Sequence, residues 1–410
     1  MKVSWAFVGT LVLGVTFGVV SLVYLNLVDS DRVAAVARLM KSTSIGHELF
    51  QHHEMATSKQ NTSSLHTIMT GEVTPHEGAL RTDPSAPCEE TSSILLLKTH
   101  KTGSSTVQNV LYRYGDARNL TFALPAVDVY MGCPQKFRPA FALRSPTGQY
   151  DILANHARFH LDNMKKVMRT GAKFVTILRY PPRQFESMYS FYRMQHRYRV
   201  ALETFAESPQ VLYNKYSEKN PRHSALNPML YDLGLDLDAM ADDDQVAEWI
   251  QDLDGAFDLV LIAEHLAESL VLLRDLMCWE WEEVAFLPSN ARTGSLVRSL
   301  TPRTESQLRN WLRGDLTLYD HFNASLWARV RAYGEERMAA DVARLGRLNQ
   351  ALKDRCVQGT RKVTEMGGRT VIQRYVLRPE MADDIHCRRI TYSAMDYLTI
   401  LRTKMKMKRQ

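Results

Sequence analysis

The chain has 410 residues, of which 45% are hydrophobic and 23% charged. That length holds one large domain or two ordinary ones, and that balance excludes a disordered chain. The formal net charge of +6 comes from 51 Lys and Arg against 45 Asp and Glu spread along the sequence, and it gives no case for a nucleic-acid partner.

The first element is apolar. After a short tail, residues 1–4, the run from Trp5 to Val28 contains no charged residue. About 20 apolar residues span a bilayer as a helix, so 5–28 is predicted to be a transmembrane anchor. Its core is longer than that of a usual cleaved signal peptide, and no small-x-small cleavage site stands directly after it. Acceptor triplets for N-glycosylation occur at Asn61-Thr-Ser63, Asn119-Leu-Thr121 and Asn323-Ala-Ser325. Behind an anchor they favour a lumenal body and a cytoplasmic tail. Residues 29–91 are polar and punctuated, and they read as a stem. His52, His53, His66 and His76 lie there without metal-ligand spacing.

The five cysteines, Cys88, Cys133, Cys278, Cys356 and Cys387, suit an oxidising compartment and form no CxxC pair. Cys278, in the apolar "LLRDLMCW", is expected to be a buried free thiol, leaving the other four for two bridges of open pairing.

From Ser92 onward apolar runs alternate with helical stretches. Ile94–Leu97, Tyr150–Ala154, Phe174–Leu178 and Leu259–Ala263 are predicted strands. Val107–Tyr114, Leu161–Met168, Phe185–Met194, Gln245–Leu253 and Leu266–Glu280 are predicted helices. The section from Ser306 to Gln410 reads as helix-rich, and no internal repeat is visible. This pattern predicts one α/β domain over 92–410, with a central, mostly parallel sheet flanked by helices. Function in such folds gathers at the carboxyl ends of strands. Lys98–Thr106, His156, Arg179 and Glu264 follow the four predicted strands.

Between the first strand and its helix lies Lys98-Thr-His-Lys-Thr-Gly-Ser-Ser-Thr106. A strand, a turn with glycine and hydroxyls, and a helix can cradle an anion. The ATP-loop pattern G-x-x-x-x-G-K-[ST] is not met, because Lys101 precedes Gly103 and no glycine stands five residues ahead of it.

The motif "LLLKTHKTGSST" resembles instead the 5′-phosphosulfate loop of the Golgi carbohydrate sulfotransferases, in particular the galactose 3-O-sulfotransferase branch. "NHARFH", "VTILRYPPRQFESMYSFY", "LVLIAEHLAESLVLLR", "SNAR" and "LYDHFNASLW" extend the resemblance from Ile94 to Cys387. It implies a P-loop-like sulfotransferase fold and transfer of sulfate from PAPS (3′-phosphoadenosine 5′-phosphosulfate) to the 3-hydroxyl of a terminal β-galactose, on a glycolipid or glycoprotein glycan. It also implies a single-pass type II protein of the Golgi membrane that needs no metal; homo-oligomerisation is left open. Tyr180 stands where the family often has Asp, and Gly103 where Ala is frequent.

Residue by residue, Lys98, Thr102, Gly103, Ser104, Ser105 and Thr106 are candidates to hold the phosphosulfate. Lys101 is the candidate to neutralise charge on the leaving phosphate oxygen. By resemblance, Arg179 and Ser187 hold the 3′-phosphate, and Asn290 and Arg292 form a late loop over the nucleotide. His156, just past a strand end, is the candidate general base, with His160 as runner-up. A metal held by these two histidines at i, i+4 is the rival use, and His100 is expected to bond the loop backbone. The rival functions are an NTP-dependent kinase, which would need a metal, and an inactive glycan-binding membrane protein.

Overall fold

The computed structural model describes residues 88–217, 224–287, 299–365 and 370–408. Five short strands form one parallel sheet: β1 (Ile94–Leu97), β2 (Phe122–Ala123), β3 (Ile152–Leu153), β4 (Lys173–Leu178) and β5 (Leu259–Ile262). Their order is β2-β3-β1-β4-β5, and every neighbouring pair is parallel. β1 and β5 are buried at every position, as expected of strands covered on both faces. Burying each such Leu or Ile contributes about 1.5–3 kcal/mol.

Helices α1 (Ser104–Ala117), α2 (Leu161–Val167) and α3 (Pro181–Phe191) follow β1, β3 and β4. Short helices α4 (Met194–Tyr198), α5 (Leu202–Glu207), α6 (Pro209–Tyr216) and α7 (Pro228–Asp232) come next, then α8 (Asp243–Ala256) before β5. After β5 come α9 (Leu266–Met277), α10 (Trp281–Val284), α11 (Pro302–Trp311), α12 (Arg313–Tyr333) and α13 (Glu335–Cys356). An antiparallel hairpin follows, β6 (Val357–Glu365) and β7 (Thr370–Leu377), then α14 (Ile385–Thr391) and α15 (Ala394–Met407).

The main core surrounds the sheet. A second aromatic cluster, with Phe185, Tyr189, Phe205 and Trp311, packs α3 against α5 and α11. The C-terminal helices close back on α1. Buried Asp116 accepts from Arg389 Nε at 2.8 Å and Tyr397 Oη at 3.3 Å, and pairs with Lys404.

Several expectations need correction. The first helix begins at Ser104, not Val107, because Gly103 caps it directly after the turn. The helix read from Phe185 begins at Pro181, since proline suits a first turn, and it ends at Phe191. The helix-rich C-terminal section contains the β6–β7 hairpin. Cys278 is not a free thiol. It ends α9 in a left-handed conformation (φ 55°) and bridges to Cys88, while Cys356 bridges to Cys387. Cys133 takes part in neither bridge. Asn119 is exposed in the turn after α1, whereas Asn323 lies within α12.

The predicted span 5–28, the stem up to Pro87 and the acceptor at Asn61 lie outside the described residues. Among the described residues no helix is long and apolar enough to cross a membrane.

Candidate active site

The connection leaving β1 runs toward β2 and the one leaving its neighbour β4 runs toward β5, so the direction of travel switches between β1 and β4. A crevice beyond the carboxyl ends of such strands is where α/β sheets hold ligands. The turn from Lys98 to Gly103 stands at that place. Its shape is set from within. Thr102 and Ser104 hydroxyls donate to Thr99 O at 3.4 and 2.9 Å, and the Thr99 hydroxyl bonds Thr102 Oγ1 at 2.7 Å and donates to Ile177 O on β4. These hydroxyls fold the turn and tie it to the neighbouring strand.

Lys98 is buried, and its Nζ donates to Ser104 Oγ at 3.1 Å and Ser105 Oγ at 2.9 Å. Burial, with help from the nearby charge of Lys101, lowers its ammonium pKa to about 7. Ser105 is only part-buried and accepts from Lys98, so its own proton can point to a ligand. Thr106 is buried at the start of α1.

Gly103 is exposed, has φ +80°, and a Cβ there would meet nothing within 4 Å. Backbone conformation rather than space therefore favours glycine, and alanine would be strained. Lys101 takes a left-handed conformation without being glycine (φ 60°). Its Nζ lies 3.6 Å from the Phe191 ring centroid, and its carbonyl accepts from Arg179 Nη1 at 3.1 Å. Arg179, at the end of β4, thus brings a third cation to the loop. Ser187 is buried in α3, one turn further along than its expected place near the helix start.

The carboxyl end of β3 brings His156. Its Nδ1 lies 2.9 Å from Lys98 O. A carbonyl only accepts, so Nδ1 carries the proton and Nε2 has the free lone pair. Burial first, then the proximity of His100 and Lys98, holds the imidazolium pKa well below 6.5. The ring is therefore neutral at neutral pH. It stacks on His100 at 4.3 Å between centroids and on Tyr130 at 5.4 Å.

His100 Nδ1 meets a carboxylate rather than the loop backbone expected from the sequence. Its backbone N–H and Nδ1 both contact the Asp232 carboxylate, at 2.7 and 2.8 Å. Asp232 ends α7, and buried Asp315 on α12 accepts from Met229 N and Leu230 N at the start of the same helix. Burial pushes the Asp315 carboxyl up to about 7 despite those bonds. Gln184 on α3 completes the frame by donating to His100 O at 2.7 Å.

His160 is placed elsewhere. It caps α2, with Nδ1 accepting from Asn163 N at 3.4 Å. His156 to His160 is not helical: residues 156 and 158 make parallel bridges to Tyr130 and Lys136. Four extended residues place the two histidines about 13 Å apart along the chain, which removes the shared-metal geometry. Glu264 accepts from Tyr180 N at 3.1 Å and Tyr319 Oη at 3.3 Å, so it fastens the start of α3 to the end of β5. Tyr180, in place of Asp, hydrogen-bonds Glu305 at 2.9 Å and accepts from Arg309 at 3.0 Å. Asn290 and Arg292 lie outside the described residues.

Sequence reasoning missed Asp232, Gln184 and Tyr130. Asp232 gave one signal, a carboxylate within the apolar "NPMLYDLGL".

A cationic strand–turn–helix at the switch point of an α/β sheet, with a neutral imidazole beside it, is a site suited to an anionic ligand next to a proton acceptor. The sequence matches the family described as Galactose-3-O-sulfotransferase over residues 38–387. It is 36% identical over 335 residues to "Galactose-3-O-sulfotransferase 2" of Sus scrofa, covering 76% of this chain and 84% of that one. It is 38% identical over 288 residues to "Galactosylceramide sulfotransferase" of Bos taurus, covering 67% and 66%. With the human "Galactose-3-O-sulfotransferase 2" the identity is 38% over 277 residues, 65% and 68% of the two chains. The chain belongs to the galactose-3-O-sulfotransferase family.

Proposed function

We propose that the protein transfers sulfate from PAPS to the 3-hydroxyl of a terminal β-galactose. The observation that carries this is the Lys98 hinge between two functions: its side chain organises the anion loop, and its carbonyl orients the His156 ring. The residues present suit an anionic donor. Three cations, a free-proton hydroxyl on Ser105 and an open backbone at Gly103 converge at one sheet edge.

Bound PAPS would supply the sulfuryl group and a phosphate leaving group. The chain's own residues do the rest. Lys98, Thr102, Gly103, Ser104, Ser105 and Thr106 form the phosphosulfate turn, and Lys101 faces the charge that develops as the S–O bond breaks. Arg179 and Ser187 take the 3′-phosphate, with Asn290 and Arg292 over the nucleotide. His156 Nε2 accepts the proton of the attacking galactose hydroxyl. The Asp232–His100 pair holds both the turn and the face on which His156 stacks.

The same reading places the protein in the Golgi membrane as a single-pass type II protein, with the anchor at 5–28 and the catalytic body lumenal. Two disulfides and the exposed acceptor Asn119 support it. Incubation of the full chain with radiolabelled PAPS and a panel of β-galactosides tests the activity. Label on the galactose 3-hydroxyl is expected; no transfer from PAPS, or transfer from ATP instead, overturns the proposal.

A further inference from the structure

Beyond His156 the chain continues extended through "ARFH". Ala157 and Phe159 enter the core, while His156, Arg158 and His160 take the alternate positions. The last two line a separate cavity of about 520 Å³, together with Gln135, Lys136, Arg138, Asn163 and Asp236. Its far wall, at His160, is about 13 Å of extended chain from the proposed base. That is within reach of a short oligosaccharide whose end sits at His156.

The cavity is built on a fixed frame. Buried Arg158 donates to Tyr231 O at 3.0 Å, Pro134 O at 3.1 Å, Leu235 O at 2.9 Å and Asp236 Oδ1 at 3.0 Å. Its guanidinium lies 3.9 Å from the Tyr231 ring centroid. Asp236 also accepts from Lys136 at 2.9 Å. Burial raises the Asp236 pKa, but the bonds from Lys136 and Arg158 outweigh it and hold the carboxyl below its ordinary value.

The remaining polar atoms alternate in kind. His160 Nδ1 accepts from Asn163 N, so Nε2 is the ring nitrogen that carries a proton and donates. Asn163 Nδ2 donates to Phe137 O at 3.0 Å, which leaves its Oδ1 as an acceptor. Lys136 and the exposed Arg138 add donors, and Asp236 adds acceptors. Donors and acceptors side by side match vicinal hydroxyls, each of which does both. A phosphate or sulfate would instead meet the Asp236 carboxylate.

We propose that this cavity is an acceptor subsite that binds the sugar unit next to the terminal galactose. The proposal rests on the reading that a galactose hydroxyl loses its proton at His156. The test compares lactose with methyl β-galactoside as acceptors for the full chain and its Lys136→Ala, Arg138→Ala and double variants, with PAPS saturating. Arg138 is exposed, and Lys136→Ala leaves Asp236 paired with Arg158, so folding is retained; thermal melting checks this.

The ratio of kcat/KM for lactose to that for methyl β-galactoside is expected to fall about tenfold in the double variant, the scale of one lost hydrogen bond to a charged group. An unchanged ratio, or equal losses on both acceptors, overturns the subsite. A wild-type protein that sulfates both acceptors but gains nothing from the second sugar overturns it too. A wild-type protein that sulfates neither overturns the underlying reading as well.

Discussion

The chain that leaves β1 and the chain that leaves β3 end at the same sheet edge and solve opposite problems. After β1, polar groups turn inward. Thr99, Thr102 and Ser104 spend their hydroxyls on the turn itself, and Asp232 and Gln184 hold its backbone from outside. Lys98, Lys101 and Ser105 are the proposed contacts to the anion. After β3, an alternating extended segment sends Ala157 and Phe159 to the core and His156, Arg158 and His160 to the other side. On the proposed reading, the contrast teaches that an anion of fixed shape calls for a preorganised turn, whereas an acceptor calls for a strand-like row of side chains. The two are joined by the Lys98 carbonyl beside His156 and by the stack of His156 on His100.

That division can be broken at either end. The largest effect is expected on the β3 side. His156→Ala should lower kcat by about 10²–10⁴, the usual worth of general-base help. Because its pKa is held well below 6.5, the acidic limb of wild-type kcat/KM should lie below that pH, and the variant should lack it. A limb centred above 6.5 would point to another base. On the β1 side, Lys101→Ala should cost about 10²–10³ in kcat, as loss of one preorganised charge-stabilising group does. Unchanged turnover would remove Lys101 from the mechanism.

Ser187→Ala should weaken 3′-phosphoadenosine 5′-phosphate roughly tenfold to a hundredfold, the scale of one hydrogen bond to a charged group, and adenosine 5′-phosphosulfate much less. Equal losses by calorimetry would assign Ser187 to structure. The lowered pKa of Lys98 gives a pH test with a definite sign. An anion binds the ammonium form, which the unliganded site loses as pH rises through about 7. Affinity for 3′-phosphoadenosine 5′-phosphate should therefore fall between pH 6 and pH 8, by at most about tenfold per pH unit. Flat affinity over that window would mean Lys98 stays charged without ligand.

The smallest effect concerns stability. Gly103→Ala should cost about 1–2 kcal/mol, because residue 103 has φ +80° although the space for a Cβ is open. Chemical denaturation measures it, and a neutral result would show that the turn relaxes.

These contrasts also explain what the sequence reveals. β1, β4 and β5 are legible because a strand buried on both faces is a continuous apolar run. β2 is two residues long and has no period to detect. The hairpin β6–β7 reads "VQGTRKVTE" and "TVIQRYVL"; Thr360, Arg361 and Lys362 are exposed, so its first strand lacks the buried face that strand patterns depend on. Lys98, Lys101 and His156 are legible because they stand at or just beyond strand ends. The Asp232 contact to His100 crosses 132 positions, and nothing local announces it. The bridge at Cys278 is hidden because apolar neighbours signal burial but not the left-handed turn that brings it to Cys88.

The central claim is that donor binding and proton removal belong to different strand ends. Calorimetric titration of 3′-phosphoadenosine 5′-phosphate into His156→Ala tests it most directly. The account predicts the wild-type Kd in a variant whose turnover has collapsed. A Kd weakened in step with kcat would contradict it, and would make His156 part of the anion site.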